Sequence, residues 1–186
     1  PAHRTDHVQK VIVESLAMAS RFEVLPNMVY TIAAYHDVGL VEGREKHHEV
    51  SGTMLRSDTQ LSKWFSPEQI ETMAQAVEDH RASNKNEPRS IYGKIVAEAD
   101  RQIDGMTILR RTIQFGLSHY PELDQEGHWG RTLEHLHEKY AEGGYLRLWI
   151  PESPNAIRLR EFQSMIKDEG LLRKHFDKIY SEEVSM

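Results

Sequence analysis

Apolar residues recur along this chain at intervals of three and four, the spacing that gathers them on one face of an α-helix. No convincing period-two alternation interrupts that pattern. Val8, Val11, Ile12, Ala19 and Phe22 form the first stripe and predict a helix from about Asp6 to Phe22, capped by Thr5 or Asp6. Met28, Val29, Ile32 and Ala33 predict a second from about Asn27 to Val38, with His36 continuing the stripe and Gly39 as the stop. A shorter helix begins near His47 and runs through Val50, Met54 and Leu55. Ser66, Pro67 and Gln69 then read as a capping box, followed by Ile70, Met73, Ala74, Val77 and His80 on one face. From about Ser90 a further helix turns Tyr92, Ile95, Val96, Ala99 and Ile103 inward, with Asp100 four residues after Val96.

The last third is patterned less sharply. It predicts a helix over Ile108 to Leu117, a loop from Tyr120 to Gly130, and a helix from Arg131 to Glu142 ended by Gly143 and Gly144. Ser153 and Pro154 open another helix to about Glu169, and Leu171 to Tyr180 forms the last. The fold class is therefore all-α, a single-domain helical bundle, with no internal repeat and no composition shift marking a second domain.

Composition narrows the chemistry. The chain has 186 residues, enough to bury a full core without staples, and no Cys. Disulfides, thiolate metal sites and cysteine nucleophiles are excluded, so any metal must be held by imidazole and carboxylate. The lack of Cys fits a reducing compartment, and no apolar run approaches the ~18 residues of a membrane span, so a cytoplasmic location away from the membrane is expected. A net charge of −6, from 29 acidic and 23 basic residues, argues against a stable nucleic-acid complex. The 11 His stand out, because imidazole is the commonest metal ligand.

Several of those histidines interrupt inward stripes. His7, His36, Asp37, His80 and Asp100 each fall where an apolar residue is expected. One such His alone reads as a hydrogen-bonded core residue, and Asp100 alone as half of a surface ion pair. Five together on several helices need a common partner, since burying each unpaired group costs about 1–3 kcal/mol. A divalent cation satisfies them all. The mixed nitrogen and oxygen set suits Mn, Mg, Fe, Co, Ni or Zn, and His36 and Asp37, ~100° apart around a helix, can both reach one ion at its end.

These residues resemble the HD-domain superfamily of metal-dependent phosphohydrolases. The likeness is carried by Thr5-Asp6-His7-Val8, Ala34-Tyr35-His36-Asp37-Val38-Gly39, His48, Glu78-Asp79-His80-Arg81 and Ala99-Asp100-Arg101. The stretches Asp79 to Ser83 and Glu87 to Arg101 are similar to small bacterial members that include nucleoside triphosphate pyrophosphohydrolases. The resemblance implies one HD-type domain over residues 1–186, with a metal-binding core at about 3–105 and C-terminal helices 106–186 packing on it. It implies one metal held by His7, His36, Asp37 and Asp100. His48 and His80 match positions that hold a second metal or touch substrate phosphate. His47 competes with His48, and the family's arrangement of His-Glu followed closely by Ser favours His48.

Asp37, His48 and His80 are thus the expected catalytic residues, with Asp37 orienting a metal-activated water. Glu78, Asp79 and a His outside the metal-binding set are unranked candidates for moving the proton. Leu40 replaces a Lys or His common in the family, and Arg81, Lys85, Arg89, Lys94 and Arg101 can supply the missing positive charge. Arg81, Lys94 and Arg101 are taken as substrate-binding, and the expected partner is a small phosphorylated molecule, a nucleotide by resemblance. A homo-oligomer is compatible with the three Trp and the irregular late segment, though core packing accounts for them equally. Two other readings keep the same pattern, a dinuclear-iron oxygenase and a non-enzymatic nucleotide-sensing module.

Overall fold

The apolar stripes become helices, and five of them start on a capping side chain. A computed structural model describes residues 2–82 and 86–185, and among these there is no strand. Helix α1 is Ala2–Ala19, so Thr5 and Asp6 lie inside it rather than capping it, and it stops before Phe22. Helix α2 is Pro26–Tyr35, with Pro in its first turn, where the missing N–H costs nothing. It ends earlier than the stripe predicts: His36 is its C-cap, and Asp37 leads into a 3-10 turn over Val38–Glu42. Helix α3 is His47–Ser57. A second 3-10 turn, Thr59–Lys63, carries no periodic signal and is held by Asp58, whose side chain accepts from the Gln60 N–H.

Helix α4, Pro67–Asp79, opens on the expected capping box. The Ser66 hydroxyl accepts from the Gln69 N–H at 3.3 Å while the Gln69 side chain accepts from the Ser66 N–H at 2.9 Å. Helix α5 is Ile91–Asp100, with Ser90 as its cap. Four more follow: α6 Gly105–His119, α7 Gln125–Lys139, α8 Pro154–Lys167 and α9 Glu169–Val184. Three of these depart from expectation, α6 by extending past Ile108 and Leu117 at both ends. Helix α7 begins six residues before Arg131, because the Asp124 carboxylate accepts from the Gly127 N–H at 2.8 Å and starts a turn that Gly127 and Gly130 disfavour. Helix α9 runs beyond Leu171 and Tyr180 at both ends, capped by Asp168.

The chain divides into two compact units, one reaching Gln102 and taking in Leu148–Ser153, the other Ile103–Arg147 with the residues from Pro154 on. In the first, α2 is the central element, packed against α1, α4 and α5, while α3 lies on α4 and on the 3-10 turn after α2. Val11, Val29, Ile32, Met73, Val77 and Ile95 are its fully buried centre. Burying each such side chain contributes roughly 1.5–3 kcal/mol, which is what holds the helix ends in register. The segment Leu148–Ser153 is tied to α5 by Glu98, which is fully buried and accepts from the Trp149 N–H at 2.7 Å and from the Ser153 hydroxyl. Burial pushes the Glu98 pKa up despite those donors.

In the second unit α6, α7, α8 and α9 share a core of Leu109, Ile113, Leu136, Phe162, Leu172 and Phe176. Among the described residues no helix is long and apolar enough to cross a membrane.

Candidate metal centre

Helix ends deliver most of the polar residues to one place in the first unit. His36 caps the C-terminus of α2, His80 caps that of α4, and Asp100 is the last residue of α5. Helix C-termini carry partial negative charge, so three of them together favour a cation. His7 comes from within α1, and His47 is the first residue of α3.

Two clusters result, and Asp37 belongs to both. In the first, His7 Nε2 lies 3.1 Å from Asp100 Oδ1, 3.4 Å from His36 Nε2 and 3.9 Å from Asp37 Oδ2. His36 Nε2 is 3.5 Å from Asp37 Oδ2 and 3.6 Å from Asp100 Oδ1. In the second, the other oxygen takes over: Asp37 Oδ1 lies 3.4 Å from His47 Nε2 and 3.7 Å from His80 Nε2, which are 3.2 Å apart. His7, His36 and Asp37 can hold an ion together, as can Asp37, His47 and His80.

The tautomers fit that use. The Nδ1 atoms of His36, His47 and His80 lie 2.7, 2.9 and 2.6 Å from the carbonyl oxygens of Ala33, Arg44 and Val77. A carbonyl only accepts, so each Nδ1 carries a proton, and the neutral form of each ring presents a bare Nε2 lone pair to the cluster. Lone pairs of His47 and His80 facing each other at 3.2 Å repel unless a positive charge lies between them. The donors therefore fit a divalent cation, and the nitrogen and carboxylate mixture is what borderline metals such as Mn, Fe, Co, Ni and Zn take, with Mg served by the carboxylates.

Charge within the cluster runs the same way. Burial raises the Asp100 pKa, but the His7 hydrogen bond and the charges of His80 and His36 outweigh it and hold the carboxyl at about 2. Asp37 is also held below the usual carboxylate range, burial again being overcome, here by the neighbouring His80 and His36. Burial lowers the His36 pKa. It works against a charged His80 as well, yet the Asp37 carboxylate 3.7 Å away and Asp100 outweigh it, and the His80 pKa stands raised. Both carboxylates are ionised at neutral pH, ready for a cation.

The structure brings together His7, His36, Asp37, His80 and Asp100, and it adds His47. The family resemblance favours His48, whereas the geometry favours its neighbour. His48 Nε2 lies 4.0 Å from Glu49, and its ring borders a groove of about 370 Å³ lined also by Glu78, Asp79, Glu87 and Arg89. Its Nδ1 is buried with no hydrogen-bond partner. The physical reason is the entry into α3. Gly39 donates its N–H to Ser51 Oγ at 2.8 Å, and a Cβ on Gly39 would lie only 2.2 Å from the His47 carbonyl oxygen. That close approach seats the first turn of α3 with His47, not His48, toward Asp37.

Gly39→Ala is accordingly expected to push α3 off the turn, lowering stability by about 1–3 kcal/mol. It should also lower the amount of bound metal, read by elemental analysis of the purified protein. Unchanged metal content would separate Gly39 from the placing of His47.

The basic residues are distributed differently from the expectation. Arg81 donates to the Glu45 carbonyl and Lys94 pairs with Glu87 at 2.5 Å. Arg89 is clamped by Asp79 and Glu78, so those two acids serve as its acceptors, and Glu78 also takes Arg56. Lys85 lies outside the described residues. Arg101 donates to the Ala97 carbonyl, while its Nε–H is buried without a hydrogen-bond partner and burial lowers its pKa. It directly follows Asp100, as Arg81 follows His80. Gln102, which the stripe pattern does not single out, puts its side-chain amide 3.4 Å from His7 Nδ1.

The family model described as HD domain matches residues 4–102, a span holding every residue of both clusters. No curated protein and no solved structure matches the chain.

Proposed function

Because the chain belongs to the HD-domain family, whose members are in general metal-dependent phosphohydrolases, we propose that it hydrolyses a phosphoester or phosphoanhydride bond of a small phosphorylated substrate, a nucleotide. The observation that carries this reading is the divided carboxylate of Asp37, with Oδ2 beside His7 and His36 and Oδ1 beside His47 and His80. His7, His36, Asp37 and Asp100 would hold one metal; Asp37, His47 and His80 would hold a second. A divalent metal there supplies Lewis acidity toward a phosphoryl oxygen and makes water a nucleophile at neutral pH.

The chain's own residues do the rest. Asp37 and Asp100, ionised at neutral pH, supply the negative charge that would draw a cation to the imidazoles. Backbone carbonyls of Ala33, Arg44 and Val77 lock three rings so that no reorganisation is needed when substrate arrives. Arg101, with an Nε–H still unmatched beside Asp100, is suited to a phosphate oxygen. The nitrogen-rich donor set suits iron too, which keeps a dinuclear-iron oxygenase as the second reading.

The test is to strip the protein with chelator and return Mn, Mg, Fe, Co, Ni or Zn singly. Each form is then screened against nucleoside di- and triphosphates, cyclic nucleotides and phosphomonoesters. Phosphate or pyrophosphate release that disappears on stripping and returns with one ion is the expected result. Release unaffected by stripping would overturn the proposal; turnover seen only with iron and oxygen, and lost under anaerobic conditions, would favour the oxygenase.

A further inference from the structure

We propose that Gln102 is a positioning residue that selects the tautomer of His7 and thereby sets the strength of the metal position formed by His7, His36, Asp37 and Asp100. The inference rests on the metal-centre reading above and concerns what makes one ligand unlike the other three.

His36, His47 and His80 direct their Nδ1–H groups at main-chain carbonyls three residues earlier. Their tautomers are therefore dictated by the fold. The Nδ1 of His7 instead faces a side chain, the Gln102 amide, at 3.4 Å. An amide carries a donating NH2 and an accepting carbonyl on one carbon, and half a turn of the group exchanges them. With the NH2 toward the ring, His7 Nδ1 accepts, and the proton sits on Nε2, from which it reaches Asp100 Oδ1 at 3.1 Å. With the carbonyl toward the ring, Nδ1–H donates and Nε2 presents its lone pair to a cation. Gln102 suits both forms, which a main-chain carbonyl cannot do.

Placement makes this contact matter. Gln102 follows Asp100 by two residues, just past the C-cap of α5, so the same stretch of chain presents the carboxylate to His7 Nε2 and the amide to His7 Nδ1. The His7 side chain is also the most exposed of the four rings, 32% against 11% for His47, 2% for His80 and 0% for His36. Packing constrains it least, so its orientation depends most on a hydrogen-bond partner. Outer partners of a metal-binding histidine typically shift metal affinity about 10–100-fold.

The experiment compares metal-stripped wild type with Gln102→Glu, Gln102→Asn and Gln102→Leu, using Mn2+ titration calorimetry, nitrogen NMR of the His7 ring and thermal melting. In the metal-free wild type the His7 proton is expected on Nε2, and in Gln102→Glu on Nδ1, where a carboxylate can only accept. Gln102→Glu should bind Mn2+ at least as tightly as wild type. Gln102→Leu and Gln102→Asn, the second too short to reach, should lose about tenfold or more at one position while melting as wild type does. If wild type takes up no Mn2+, the metal-centre reading fails and this inference with it. If wild type binds and all four proteins bind alike with one His7 tautomer throughout, only the role of Gln102 is overturned.

Discussion

Asp37→Ala is expected to remove metal from both positions at once and to lower kcat by about 10³-fold or more. The reason is the sharing of one carboxylate. Its Oδ2 lies 3.5 Å from His36 Nε2 and its Oδ1 lies 3.4 Å from His47 Nε2, so a single truncation strips an anionic donor from each cluster. It also takes away one of the two carboxylates that raise the pKa of the buried His80, leaving Asp100 as the only carboxylate to do so. Metal catalysis of phosphoryl transfer is worth several kcal/mol, and a loss of ~4 kcal/mol is a factor of about 10³ in rate. Asp37→Asn sharpens the test, because an amide keeps one accepting oxygen and turns the other position into a donor. One metal equivalent should survive in that variant and none in Asp37→Ala. Two equivalents retained by Asp37→Ala, counted by elemental analysis, would rule out a shared carboxylate.

The second large effect separates two adjacent histidines. His47→Ala should cost one metal equivalent and on the order of 10²-fold in rate, comparable to removing a single preorganised group from an active site. His48→Ala should keep both equivalents and stay within about threefold of wild type, a change under ~1 kcal/mol. The contrast follows from position. His47 Nε2 is 3.2 Å from His80 Nε2 with its own Nδ1 fixed on the Arg44 carbonyl, whereas His48 borders the groove that carries Glu49, Glu78 and Asp79. That groove is lined by carboxylates, a poor surface for phosphate. The reverse result, with His48→Ala inactive and His47→Ala unaffected, would restore the ligand that the family resemblance implies.

Helix phase was readable from the chain because it is a local property. Val11, Ile32, Val77 and Val96 mark their stripes, and each is fully buried. His36 and His80 fall on the same stripes as apolar residues, so their burial and their inward placement follow from a 3.6-residue repeat alone. Likewise the capping box at Ser66 is a short-range device written entirely in Ser66 and Gln69. Other boundaries were not legible. Asp124 starts α7 although Gly127 and Gly130 follow, because one carboxylate cap and the later packing of Leu136 outweigh the poor helix propensity of glycine.

By itself, then, the amino-acid sequence determined an all-helical chain with His7, His36, Asp37, His80 and Asp100 turned inward, and excluded thiolate chemistry by the absence of Cys. The tertiary structure alone decided which of two neighbouring histidines joins them, that Asp37 serves two clusters with its two oxygens, and that Gln102 stands behind His7. The first residue of a helix has no preceding turn to set its phase, so His47 and His48 are indistinguishable by periodicity. What distinguishes them is the contact of Gly39 with the start of α3, a meeting of main chains that no repeat along the sequence records.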